Sequence, residues 1–470
     1  VDVDLDGNVE ADDGDRVILF FGLRRGGEAY YALDVTRPDA RPELLWKITP
    51  ESTGFAGLGL SFSTPSLLRV NFDGSPRQVL AFGGGYHGGW SADGLSRVGK
   101  DQSRSADPVG NAVYLVDPFS GELLWKAVGA GHTGGTSLPQ YTHAGMRHGI
   151  ASPLAVLDTD GNGLHDRAYV GDTGGNVWRL DLPEWDGETD ARETWQVTLL
   201  ASLARPEAEG DRRFFHRPDL VFARDTINIA GQGQPPIYAS RRYVGVVIAS
   251  GNRAALTGLE PRNFLYYLKD GLDDAGTSSA TPSSPLLHPQ AGTGSSGRVL
   301  LEISDCPRGD EADCQLHSQP AGVANLANGW ALALSGPGEK GLSRPVTIDG
   351  TIYFTSYLPP ASPDQAGCES GVGGGRFYAI GLADGRPAHR SDASGTDSAT
   401  SPRFIDLGVP AIAPALPVIL ARRPALIPEA AAGRDAREEM HLLLPDGSLF
   451  AVPGRTRWKA YWREEGVDPD

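Results

Sequence analysis

Between two short apolar runs, Leu154-Ala155-Val156-Leu157 and Arg167-Ala168-Tyr169-Val170, the chain reads Asp158-Thr159-Asp160-Gly161-Asn162-Gly163-Leu164-His165-Asp166. Oxygen-bearing side chains stand at positions one, three, five and nine, and Gly161 and Gly163 permit the sharp backbone path that turns them inward. That chemistry suits a hard cation. Calcium takes about 6–8 oxygens at roughly 2.3–2.6 Å, whereas magnesium wants a tight octahedron and keeps its waters. Asp158, Asp160, Asn162 and Asp166 would supply side-chain oxygens, Leu164 its backbone carbonyl, and water the remainder. The stretch is not a complete EF-hand. Position twelve is Tyr169 instead of a bidentate Glu, and the flanking runs read as strands, so any bidentate role falls to Asp166. Three carboxylates and one amide exceed the ion's charge by one, which suggests affinity on the order of micromolar to millimolar. The competing reading is an Asp/Asn/Gly turn that binds nothing, since these residues are common in turns. Evenly spaced ligands with a further one at the expected offset favour the ion.

A second candidate calcium loop opens the chain, with Asp2, Asp4, Asp6, Asn8 and Glu10 at alternate positions and Asp13 at position twelve. An acidic, solvated terminus is its plain alternative. Of three cysteines, Cys306 and Cys314 bracket a short polar segment and are expected to form a disulfide, which implies an oxidising compartment. Three unpaired thiols are the alternative, and no C-x-x-C pair suggests zinc. Arg308-Gly309-Asp310 lies between those cysteines, where a closed loop could offer it to an integrin-type receptor; in so Arg-, Gly- and Asp-rich a chain, chance also suffices. Ala81-Phe82-Gly83-Gly84-Gly85-Tyr86 lacks the Lys-Ser/Thr of a phosphate loop and reads as a turn leaving a strand. Neither G-x-S-x-G nor H-E-x-x-H occurs, and the ten His are scattered, so no catalytic residue is assigned.

The elements that must hold these residues are strands. An aromatic or bulky residue, alternating apolar positions and a turn recur at Tyr30–Asp34, Val113–Asp117, Val177–Asp181 and Phe264–Leu268. Weaker copies stand at Trp330–Leu334, Phe377–Ile380 and Leu449–Val452, and a following strand often ends in Trp, as at Trp46 and Trp125. Alternation of this kind places successive side chains on opposite faces of a sheet. With no long amphipathic helix, the repeats predict an all-β chain, a modified β-propeller of roughly seven blades. Long inserted loops are expected near 90–110, 205–235 and 270–325. A stacked β-solenoid would space its copies more evenly. Ring closure is expected between Val17–Gly22 and Leu442–Val452, making residues 1–470 a single domain.

The net charge of −17 repels phosphate backbones and anionic lipid, so nucleic acid and direct membrane docking are not expected. No apolar run approaches the roughly 20 residues of a transmembrane helix. The 61 Gly and 35 Pro are spread between apolar runs, as turns between strands require, and not gathered in one tract. The chain opens on Val1 and reads as a mature or excised fragment.

Taken together, several stretches resemble the PilY-type proteins of type IV pili. They include Phe21-Gly22-Leu23, Tyr30-Tyr31-Ala32-Leu33-Asp34-Val35-Thr36, Phe82-Gly83-Gly84-Gly85-Tyr86 and Gly110-Asn111-Ala112-Val113-Tyr114. The calcium loop running through Asp166-Arg167-Ala168-Tyr169-Val170-Gly171-Asp172 to Val177-Trp178-Arg179-Leu180-Asp181 is the most specific part. Ala249-Ser250-Gly251-Asn252-Arg253, Gly338-Glu339-Lys340 and Tyr461-Trp462-Arg463-Glu464 extend the likeness. The resemblance implies the C-terminal propeller of a larger secreted protein whose variable N-terminal region is absent here. It implies a noncatalytic pilus biogenesis and adhesion module that reaches the pilus tip, cell surface or outer membrane through the periplasm. Minor pilins, the pilus machinery and a host-cell receptor would be its partners. Calcium on Asp158, Asp160, Asn162, Leu164 and Asp166 would support extension and oppose retraction in twitching motility; Asn162 stands where Asp is common in the family. A quinoprotein-like dehydrogenase propeller shares the Tyr-x-Val-Asp repeat but usually carries a vicinal Cys pair, which this chain lacks. A passive outer-membrane assembly scaffold is the third reading.

Overall fold

Alternation decides the architecture. In the strand Ala112–Val116 every side chain is buried, yet Val113 and Leu115 join one apolar cluster while Ala112, Tyr114 and Val116 join another. Phe264–Gly271 behaves likewise, sending Phe264, Tyr266 and Leu268 to one side and Leu265 and Tyr267 to the other. A sheet with two apolar faces must be covered on both. A ring of sheets does this by letting each sheet cover its neighbours.

The computed structural model of the chain describes residues 14–91, 93–130, 138–228, 235, 237–272, 284–289, 298–304, 328–360, 373–388, 403–407, 416–422, 438–444 and 449–452. Among them there is no α-helix, and no helix long and apolar enough to cross a membrane. The first sheet pairs Ile18–Gly22, Tyr30–Asp34 and Glu43–Ile48. The second is a meander of Ser66–Asn71, Pro76–Gly83, Ala112–Val116 and Leu123–Gly129, with Gln140–His143 added in parallel. The third comprises Ala155–Leu157, Arg167–Gly171, Asn176–Asp181 and Gln196–Ser202, extended by two short parallel strands. The fourth holds Asp219–Asn228, Tyr238–Ala249, Phe264–Gly271 and Gly329–Ala333, with Leu301–Glu302 alongside. Val346–Ile348, Thr351–Leu358, Gly374–Gly381 and Phe404–Leu407 make the fifth, and Val418–Arg422, Glu438–Leu443 and Leu449–Ala451 the sixth.

Apolar clusters bridge each consecutive pair of these sheets. Between the second and third, Leu68, Val79, Trp125, Ala168, Val170, Trp178 and Trp195 pack together. Truncating a Trp there to Ala would cost about 3–5 kcal/mol. The strand-ending Trp residues serve these joints: Trp46 Nε1 donates to the Pro118 carbonyl of the next sheet at 2.9 Å, and Trp125 meets Trp195 with ring centroids 5.8 Å apart.

The all-β propeller expected from the repeats is the fold, with three differences in detail. Seven repeat copies correspond to six sheets of three or more strands among the described residues. The copies at Phe264–Leu268 and Trp330–Leu334 are neighbours in one sheet, with Phe264 opposite Ala333 and Leu268 opposite Gly329. The expected closure of Val17–Gly22 on Leu442–Val452 does not form among the described residues. Ile18–Gly22 pairs with Tyr30–Asp34, while the late strands satisfy one another's backbone groups in a sheet of their own. The predicted long loops also carry structure: a hairpin of Gly88–Trp90 with Arg97–Gly99, the strand Asp219–Asn228, and the short strands Leu286–Leu287, Arg298–Val299 and Leu301–Glu302.

Candidate metal centre

The apolar run before the loop becomes Ala155–Leu157, which pairs antiparallel with Arg167–Gly171, with Leu157 opposite Arg167. The nine residues 158–166 therefore form the hairpin connection between the first two strands of the third sheet. Gly161 and Gly163 hold φ of +83° and +86°, a region closed to most side chains, and so let the loop fold back on itself.

Three carboxylates converge there. Asp158, Asp160 and Asp166 each place an oxygen within 4.8 Å of the others, an arrangement that could hold a metal ion. Like charges so close need compensation, and backbone amides provide it. Asp158 Oδ1 accepts from the Gly161 amide at 2.6 Å and Oδ2 from the Gly163 amide at 2.8 Å. Asp160 Oδ1 accepts from the Asn162 amide at 3.1 Å, and both oxygens of Asp166 share the Thr159 amide at 3.2 Å. Partial burial opposes ionisation of Asp158, but the amides of Gly163 and Gly161 outweigh it and hold its carboxyl below the usual range. At Asp166 burial wins. Its carboxyl is raised despite the Thr159 hydrogen bonds, with the Asp160 charge adding to the effect.

Asn162, at loop position five, lies in the same cradle, donating Nδ2 to Asp160 Oδ2 at 3.2 Å and accepting from the Leu164 amide on Oδ1 at 2.8 Å. The candidate donors are all oxygens, the set expected of a hard cation. The loop's own imidazole, His165, is turned to other work: its Nδ1 accepts from the Arg69 amide at 3.0 Å, while the His165 amide donates to the Arg69 carbonyl at 2.7 Å. That exchange ties the loop to the second sheet.

On its other side the loop runs into a buried ionic network that the sequence reading missed. Arg167, directly after Asp166, lies 3.4 Å from Asp181 Oδ1 and 3.7 Å from Asp270 Oδ2. Arg179 bridges the same two carboxylates at 3.0 Å each, and the Tyr169 hydroxyl donates to Asp270 at 2.8 Å. All are buried, and Asp270 belongs to Phe264–Gly271 of the fourth sheet. A signal was available: Arg167 opens an otherwise apolar strand and Arg179 breaks the run Val177–Leu180, where an unpaired charge would be costly. Glu184 was missed as well; it accepts a hydrogen bond from Asn162 Nδ2 and lines a cavity of about 310 Å³ with Asp160, Asp166 and Asp181.

Asp2, Asp4, Asp6, Asn8, Glu10 and Asp13 lie outside the described residues, as do Cys306, Cys314 and Arg308-Gly309-Asp310. The Gly83–Gly85 turn has its amides engaged, Gly84 to Ala112 at 2.6 Å and Gly85 to Ile150 at 3.0 Å, consistent with a strand exit.

A family model described as the PilY1 beta-propeller domain matches residues 5–256, more than half of the chain. The chain belongs to the PilY1 β-propeller domain family. The PilY1 match takes in the whole 158–166 loop, Asp181 and Glu184, while Asp270 lies beyond it. A type IV pilus biogenesis factor PilY1 homolog of Xylella fastidiosa is 25% identical over 382 residues, covering 79% of this chain and 22% of the relative. PilY1 of Pseudomonas aeruginosa is 30% identical over 165 residues, covering 35% of this chain and 11% of the relative. The chain thus spans about a fifth or less of the length of these relatives. In three dimensions it resembles the crystal structure of the Pseudomonas aeruginosa PilY1 C-terminal domain, with a TM-score of 0.56 at 16% identity, covering 94% of this chain and 85% of that one. That likeness speaks to the fold.

Proposed function

We propose that this chain is a noncatalytic, calcium-binding module of type IV pilus biogenesis and adhesion. Residues 1–470 would form one propeller domain at the C-terminal end of a larger secreted protein. The observation that carries this reading is the convergence of Asp158, Asp160 and Asp166 within 4.8 Å on a hairpin inside the PilY1-matched region. Asn162 Oδ1 and the Leu164 carbonyl would complete the protein ligands, with water filling the shell. Calcium over magnesium is favoured by a loop that offers many oxygens and no tight octahedron.

Bound calcium supplies positive charge at the point where three carboxylates crowd. The loop's residues do the rest. As a ligand, Asp166 would stiffen the start of the strand Arg167–Gly171, whose first residue faces Asp270 of the fourth sheet. His165 carries the same stiffening to Arg69 of the second sheet. A partner that engages these sheets would then bind the loaded and empty forms differently, the condition for a ligand to bias an equilibrium. Minor pilins and the pilus machinery at the tip are the proposed partners, together with a host-cell receptor, and the loaded state would favour extension over retraction. Calorimetric calcium titration of the protein against Asp158→Ala and Asp166→Ala tests the reading. Saturable heat lost in both variants is expected; an equal response in all three proteins would end it. Pull-down with minor pilins with and without calcium, and twitching by cells carrying the same substitutions, test the pilus role.

A further inference from the structure

We infer that Glu184, which lies outside the loop, positions the Asn162 amide as a calcium ligand and makes Asn, not Asp, the side chain this site requires at its fifth position. The inference rests on the calcium reading above.

An Asn side chain has a donor end and an acceptor end, and its neighbours decide which way it faces. Here the Nδ2 end meets two acceptors, Asp160 Oδ2 and Glu184 Oε1, while the Oδ1 end meets a donor, the Leu164 amide. Flipping the amide would set oxygen against two carboxylates and nitrogen against an N–H. The orientation is therefore determined. A carbonyl oxygen has two lone pairs; the Leu164 amide takes one, and the other remains for an ion.

Glu184 can do this because its segment is pinned. The Leu182 amide donates to the Asp166 carbonyl at 2.8 Å, Trp195 Nε1 to the Pro183 carbonyl at 2.9 Å, and the Trp185 amide to the Asn71 carbonyl at 2.9 Å. Leu182 is itself buried between the sheets. Residues 182–185 are thereby strapped across the loop from outside it, with Glu184 over Asn162. Groups that hold a metal ligand's far side are worth about 10–100-fold in affinity.

An Asp at 162 would usually strengthen a calcium loop by adding charge. Beside Glu184 it would instead set two carboxylates in hydrogen-bond contact with no donor between them. The test is a double-substitution cycle by calcium calorimetry on the whole chain, using Asn162→Asp, Glu184→Gln and both together. Asn162→Asp alone is expected to weaken calcium binding about tenfold. With Glu184→Gln present, whose amide can donate to the new carboxylate, the same change should leave binding equal to or tighter than that of Glu184→Gln. If Asn162→Asp changes affinity by the same factor in both backgrounds, Glu184 has no positioning role. Glu184→Ala gives a second arm should Asn162→Asp not fold: about tenfold weaker calcium binding with an unchanged calcium-free Tm is expected, and unchanged affinity overturns the inference. Absence of calcium heat in the unsubstituted protein would instead remove the calcium reading itself.

Discussion

The second and third sheets begin with equivalent hairpins, yet one of them gathers carboxylates and the other does not. The strand Ser66–Asn71 turns into Pro76–Gly83 through four residues, with Asn71 opposite Pro76. Ala155–Leu157 turns into Arg167–Gly171 through nine. Both turns start alike. Asn71 Oδ1 accepts from the Gly74 amide at 2.9 Å, three residues on, just as Asp158 Oδ1 accepts from Gly161, and both glycines have positive φ. From there they diverge. The shorter hairpin re-enters its strand at once, and its one acidic residue, Asp73, pairs with Arg77 in solvent. The longer one adds Gly163 through Asp166, enough chain to bring a third carboxylate back over the first two. A common turn geometry is thus not enough to gather carboxylates; the extra residues and their charges create the cluster that could hold an ion.

The two hairpins should respond very differently to substitution. The largest difference is expected in the ion pairs that follow them. Asp270→Ala would leave the buried Arg167 and Arg179 sharing Asp181 alone, with one charge uncompensated and the Tyr169 hydroxyl without its acceptor, and cost about 3–5 kcal/mol in denaturant unfolding. Arg77→Ala, which opens an exposed pair, should cost about 1 kcal/mol or less. A similar loss from both would show that burial of the Asp270 network is not what distinguishes them. Next comes ion binding. Asp158→Ala removes a proposed ligand and the acceptor of three amides, and should weaken calcium binding at least about a hundredfold, while Asp73→Ala should leave the calorimetric trace unchanged.

The smallest effect concerns the ion-free protein. Because burial raises the Asp166 carboxyl, the folded state holds that proton more readily than the unfolded chain. The group therefore costs stability once pH rises above the ordinary carboxylate range, and the cost disappears below it. Asp166→Asn should accordingly raise the calcium-free Tm at neutral pH slightly, on the order of 1 °C, while lowering the calcium-loaded Tm. A fall in both would mean that its hydrogen bonds to Thr159 outweigh the buried charge.

Much of this was legible in the residue order. Period-two alternation in Ala112–Val116 or Phe264–Leu268 announces strands with two apolar faces, and such strands demand a stack of sheets. The spacing of Asp158, Asp160 and Asp166, with glycines where the chain must turn back, is local, and so is the convergence it produces. The count of sheets was less accessible, because the copies at Phe264 and Trp330 look alike whether they begin separate sheets or lie side by side in one.

The residue order by itself determined the strands, the turn and the carboxylates, since each depends on neighbours a few positions away. Only the packed sheets decided that Glu184 should face Asn162, that His165 should reach Arg69, and that Asp270 should meet Arg167 and Arg179 from about a hundred residues along the chain. Those contacts follow from how one sheet lies against the next, and burial is what gives an ion pair or a single hydrogen bond there its weight.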